Sequence, residues 1–257
     1  MKTEFFRPTS ISEALEYLKL PNSIPLAGGT FLNTQKYKST LERRIGDATV
    51  ALVDLQNLGL THIRKHGNNL EIDACVTLQQ LGENAHTPED LKKAIKLEAP
   101  LNIRNMATAA GTLISCNGRS AFTCAMLALD AKLLMEPGSI ESFLGSYLPL
   151  REASVPGKLI TKIIIPLTAS LAFEHVGRTK FDLPIVCAAV AKWTSGRTRL
   201  ALGGYGSSPL LAMDGKAEDD ILSAARSGYH EAADEWASAE YRADVAATLA
   251  GRCINRL

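Results

Sequence analysis

The chain has 257 residues, of which 46% are hydrophobic, enough for one large or two ordinary domains with packed cores. Its 28 basic and 27 acidic residues leave a net charge of +1, which argues against nucleic acid or an anionic membrane as partner. No apolar stretch approaches a membrane span and the opening MKTEFFRPTS has no apolar signal core, so a cytoplasmic protein is expected. The first element in chain order is a helix over residues 9–19, TSISEALEYLK. There Ser10 and Glu13 form a capping box, Ile11, Leu15 and Leu18 share a face, and Pro21 follows as a stop. SIPLA (23–27) reads as a short buried strand that runs into Gly28-Gly29-Thr30. TVALVDL (49–55) is a β-branched apolar run. THIRK and NLEIDACV flank His66-Gly67-Asn68-Asn69, a hairpin signal, with Leu70, Ile72 and Ala74 alternating as on a half-buried strand. Thr77 caps LQQLGEN. Thr87-Pro88-Glu89-Asp90 opens another helix, with Pro88 at its first position.

Residues 101–135 open with small and polar residues around Gly111, continue as the apolar helix AFTCAMLALDA, and end in a strand. KLITKIIIP (158–166) is a strand closed by Pro166. Beyond it SLAFEHVG, LPIVCAAVAKW and TRLALGGYG read as an antiparallel meander turned at Thr194-Ser195-Gly196-Arg197. The last forty residues are Ala-rich and helical, with Tyr241, Val245, Leu249 and Cys253 as one apolar stripe. Strands followed by helices give an α+β unit, and the boundary falls near residues 166–169.

Candidate chemistry is sparse. Cys75, Cys116, Cys124, Cys187 and Cys253 are scattered, without a C-x-x-C pair, so free thiols and no metal site are expected. His66 falls in a turn and His86 just before a helix cap, so both read as surface residues, and no G-x-S-x-G elbow occurs. Asp54, Asp73 and Asp130 read as structural, and Arg43-Arg44 and the Arg197/Arg199 pair as solvated. Gly28-Gly29-Thr30 is neither a dinucleotide fingerprint nor a P-loop. With ATAAGTLIS (107–115) it forms a pair of small-residue loops. On pattern alone these are either two packing turns or two sets of backbone N–H donors for one anion.

These loops and their surroundings resemble the FAD-binding medium subunit of the molybdenum hydroxylases, the xanthine dehydrogenase and carbon monoxide dehydrogenase group. FFRPTSISEALEYL is similar to the family's opening and PLAGGTFL to its first flavin loop. LNIRNMATAAGTLIS is similar to the second loop, usually I-R-N-x-A-T-I-G-G-N. PGKLITKIIIP resembles the strand that closes the flavin domain, FEHVGRTKFDLPIVCAAVA the K-x-G-R-R segment, and LALGGYGSSPLLA and the last helix the C-terminal domain. The resemblance runs along the whole chain.

The resemblance implies an α+β fold: a PCMH/VAO-type FAD-binding domain over 1–166, with subdomains of about 1–55 and 56–166, then a C-terminal α+β domain over 167–257. It implies a first FAD loop of Leu26, Ala27, Gly28, Gly29, Thr30 and Leu32, whose N–H groups hold the diphosphate while Gly28-Gly29 permit close approach. It implies a second loop of Thr108, Ala109, Ala110, Gly111 and Thr112, with Ile160 against the flavin. Chemistry at a flavin needs no side-chain acid or nucleophile, so no catalytic residue is named. The implied partners are a large subunit with molybdopterin and a small subunit with [2Fe–2S] centres. The implied role is electron transfer to NAD or another acceptor. Four departures stand out: Ala109-Ala110 in place of Ile-Gly, no acidic residue in NGRSAFT, Glu98 where an apolar residue is usual near the flavin, and Glu174-His175 in the C-terminal unit. Ala109-Ala110, the missing acidic residue and Glu174 motivate an alternative, a flavin-poor assembly subunit.

Overall fold

The computed structural model describes residues 2–46, 48–151, 157–179, 182–216 and 220–257. The sequence-predicted segments at 156 and 180–181 therefore lie in part outside the described residues. Three sheets organise the chain. The first is parallel, in the order β1 (Lys2–Phe6), β3 (Thr49–Asp54), β2 (Ser23–Leu26). It is flanked by α1 (Ile11–Leu18) and α2 (Gln35–Ile45). Ser10 caps α1 by accepting from the Glu13 N–H, and the Glu13 carboxylate accepts from the Thr9 N–H. Ala14 and Leu18 of α1 pack on Val53 and Leu55.

The second sheet is antiparallel, in the order β4 (Ile63–His66), β5 (Asn69–Asp73), β8 (Leu159–Pro166), β6 (Lys132–Glu136), β7 (Ile140–Phe143). The hairpin at Gly67-Asn68 is as expected, and Leu70 and Ile72 are fully buried. Helices α3 (Leu78–Glu83), α4 (Glu89–Glu98), α5 (Leu101–Arg104), α6 (Ala109–Ser115), α7 (Ala121–Ala128) and α8 (Leu144–Tyr147) complete this part. Thr77 and Gln80 make a reciprocal capping box on α3. Helix α4 begins one residue later than expected, so Pro88 is its N-cap, not its first helical residue, and Thr87 instead donates its hydroxyl to Leu81 O.

The third sheet is the expected meander, in the order β12 (Leu210–Gly215), β11 (Thr198–Gly203), β10 (Val186–Trp193), β9 (Ala169–Val176). Strand β10 explains why this region reads as a continuous apolar run. Cys187, Ala189 and Ala191 face the core that contains α7, while Val186, Ala188 and Val190 face α9 (Ile221–Ser227) and α10 (Ala239–Ile254). Alternate side chains leave a strand on opposite sides, and here both sides are covered. All eight residues of α7 are buried, so one core runs from the second sheet into the third.

Two expectations fail here. The buried face of α10 is Arg242, Ala246, Leu249, Ala250 and Cys253, with Tyr241 45% exposed. A strict four-residue spacing gains about 40° per step on a helix of 3.6 residues per turn, so the line from Tyr241 to Cys253 leaves the face. The Arg197/Arg199 pair is not a solvated spot either. Arg199 is 3% exposed and its guanidinium bonds Asp130, Asp214 and Leu127 O. Arg197 bonds the same two carboxylates, which ties the third sheet to the end of α7.

Candidate functional site

A cleft of about 870 Å³ opens between the first two sheets. Its volume lies in the range of small-molecule and cofactor pockets, about 300–1,000 Å³. Both predicted flavin loops reach it. Ala27, Gly28, Gly29, Thr30 and Leu32 line it from the first, Thr108, Ala110 and Gly111 from the second, and Ile160 from β8. Three of the expected residues do not. Leu26 is the last residue of β2, Ala109 is fully buried in the core, and Thr112 turns its hydroxyl onto Thr108 O.

The two loops differ in what they offer a ligand. Asn33 N–H donates to Gly29 O, which folds the first loop into a turn. The N–H groups of Gly28, Gly29, Thr30, Phe31 and Leu32 have no protein acceptor among the described residues. The second loop is the capped start of α6. Ala109 N–H donates to Val76 O at 2.8 Å, Ala110 N–H to Ala74 O at 3.4 Å, Gly111 N–H to the Thr108 hydroxyl at 3.2 Å, and Thr112 N–H to Thr108 O at 2.9 Å. Its donors are spent inside the protein. Of the two donor sets that the pattern left open, the second is engaged within the protein, while the first has no protein acceptor among the described residues.

The glycines have separate causes. A Cβ on Gly28 would lie 1.8 Å from Met106 O, so Gly28 lets the first loop lie against the segment that leads into α6. The close approach it permits is of backbone to backbone. Gly29 has φ +66°, the left-handed region that favours glycine, and starts the turn. In the second loop Ala110 is helical with negative φ, so its methyl group costs no strain. The Ala109 methyl group points into the core.

The chemistry of the lining fits an anionic dinucleotide. Arg44, Arg151 and Lys158 line the cleft and, among the described residues, no Asp or Glu does. Burial, with the nearby Asp54 and Asp73, pushes the Cys75 thiol up to about 11, and burial also raises Cys116. Both stay thiols at neutral pH, unsuited to nucleophilic attack. Asp54 accepts from Arg7 and Gln56 N–H, and Asp73 from His62 N–H, the structural roles expected of them.

The two acidic departures lie elsewhere. Glu98 is outside the cleft lining and accepts from Ser120 Oγ at 3.0 Å and Phe122 N–H at 2.9 Å, capping α7. Burial raises its carboxyl to about 7. Glu174 pairs with Arg256 Nη1, whose Nη2 holds Asp90 of α4. Neither charge belongs to the cleft. Sequence reasoning missed Arg44, Arg151 and Lys158, because no local pattern marks a cation that reaches a cleft from a distant element.

Residues 1–168 match the family described as the FAD binding domain in molybdopterin dehydrogenase, and the chain belongs to that family. The α+β fold, the flavoprotein class and FAD as the cofactor of this domain follow from that membership, as the sequence resemblance implied. Over 220 residues the chain is 30% identical to the uncharacterized protein YgfM of Escherichia coli (strain K12), covering 83% of this chain and 79% of that one. Over 285 residues it is 27% identical to the carbon monoxide dehydrogenase medium chain of Afipia carboxidovorans, covering 98% and 96%. Among solved structures it superposes on a chain of reconstituted CO dehydrogenase from Oligotropha carboxidovorans with TM-score 0.80 at 26% identity, covering 100% of this chain and 97% of that one. Quinoline 2-oxidoreductase from Pseudomonas putida 86 shares the fold, with TM-score 0.78 at 21% identity, covering 100% and 96%. No helix among the described residues is long and apolar enough to cross a membrane.

Proposed function

We propose that this chain is the FAD-carrying electron-transfer subunit of a multi-subunit molybdenum hydroxylase of the xanthine dehydrogenase and carbon monoxide dehydrogenase kind. The observation that carries the reading is the meeting of both loops and Ile160 on one cleft that, among the described residues, has unpaired N–H donors and no carboxylate in its lining. FAD bound there relays electrons from the [2Fe–2S] centres of a small subunit to NAD or another acceptor, while molybdopterin and the organic substrate belong to a large subunit. In this assignment the free N–H groups of Gly28, Gly29 and Thr30 hold the diphosphate. Leu32, Thr108, Ala110 and Gly111 shape the walls, and Leu26, Ala109 and Thr112 stand behind them, outside the lining. Ile160 is the apolar contact for the ring system and keeps water from it. Cys75 and Cys116 are held as thiols and take no part. Residues 1–166 act as the FAD domain and 167–257 as the C-terminal domain, in the cytoplasm.

The test is cofactor content and turnover of the purified chain. The proposal expects bound FAD and diaphorase-like reduction of a dye, without substrate hydroxylation. The spent donors of the second loop favour one other reading, a flavin-poor assembly subunit. A yellow protein with a flavin band rules that reading out.

A further inference from the structure

The second loop has no donors left for an anion, and the first loop alone neutralises no charge. The cleft nevertheless carries three cations among the described residues. Arg44 stands exposed at the rim on α2. Arg151 is half-buried and fixed by three main-chain oxygens: Leu148 O at 3.0 Å, Cys116 O at 3.2 Å and Ser207 O at 2.6 Å. Carbonyls orient a guanidinium but leave its charge uncancelled. Lys158 is half-buried, has no hydrogen-bond or ion-pair partner among the described residues, and lines the same cleft as Ile160, just before β8. A half-buried ammonium without a counter-charge is a desolvation cost that an anionic ligand repays.

We propose that Lys158 and Arg151 recognise the phosphate groups of the dinucleotide, taking the part that the second loop cannot. The inference rests on the FAD reading above and assigns phosphate-binding side chains within it. Specificity follows: the cleft selects the phosphorylated flavin over the bare riboflavin core, and its hold on FAD weakens with salt.

The experiment uses the full chain and measures flavin binding by fluorescence quenching. Lys158→Gln keeps a polar, unbranched side chain, removes the charge and breaks no internal bond among the described residues, so it preserves folding. It is expected to weaken FAD binding about tenfold to a hundredfold, the worth of one charge-assisted hydrogen bond, and to leave riboflavin binding unchanged. Raising NaCl from about 0.05 M to about 0.5 M is expected to weaken FAD binding to the unaltered chain more than to the variant, since screening acts only on charges that are present. Inorganic pyrophosphate is expected to compete with FAD. Arg151→Gln is expected to act in the same direction, and if it fails to fold the Lys158 and salt results decide alone. Equal FAD affinity and equal salt slopes in Lys158→Gln and the unaltered chain overturn the inference while leaving the FAD reading intact. No FAD binding by the unaltered chain overturns the reading beneath it.

Discussion

Adding one methyl group at Gly28 tests the construction of the cleft. The new Cβ would stand 1.8 Å from Met106 O and 2.6 Å from Met106 C, both backbone atoms. No rotamer change relieves a backbone overlap, so the first loop and the segment before α6 must part by about 1.6 Å or more to reach an ordinary contact. Overpacking of this kind costs about 3 kcal/mol, roughly 6–12 °C in Tm for a chain of this size. A displacement of about 1 Å at a positioning loop also costs on the order of a hundredfold in what that loop holds. The assay is thermal unfolding of Gly28→Ala beside flavin content after purification. Gly215→Ala is the control, since its Cβ meets nothing within 4 Å. A Gly28→Ala protein with unaltered Tm and full FAD content would refute the reasoning.

Three further outcomes are expected. The Glu98 carboxyl is raised from 4.5 to about 7, so the fold binds its proton more tightly than the unfolded chain does. Stability should therefore fall by about 3 kcal/mol as pH rises from about 4.5 to about 7 and then level off, and Glu98→Gln should remove this component in urea titrations across that range. Arg199→Met leaves Asp130 and Asp214 with only the more exposed Arg197, and should cost about 3 kcal/mol by denaturant unfolding. Arg256→Ala removes the bridge between Asp90 and Glu174, a partly exposed pair of contacts, and should cost about 1 kcal/mol at low salt and less at high salt.

Much of the fold was legible because the signals are local. Ser10 with Glu13 and Thr77 with Gln80 cap helices through bonds that span three or four residues. The hairpin at Gly67 and the alternation of Leu70 and Ile72 are equally short-range. The first loop was legible as a turn, whether its N–H groups face a ligand was left open by the pattern, and its convergence with the second loop came from the family resemblance. What stayed hidden depends on partners far apart in the chain. Arg199 looks like a surface residue until Asp130, 69 positions earlier, stands beside it. Glu98 looks like a charge near the ligand until Ser120 and Phe122 show it capping α7. The second loop looks like a donor cradle until Val76, Ala74 and Thr108 take its N–H groups. Gly28 looks like a phosphate-approach glycine until Met106 occupies the space a Cβ would need.

The most direct test of the central claim is the absorption spectrum of the purified chain, followed by chromatography of the cofactor released by heat. The account predicts a flavin spectrum and released FAD in about equimolar amount to the chain, one FAD for the cleft between the first two sheets. A colourless chain that takes up no flavin from excess FAD, alone and with its partner subunits present, would contradict it.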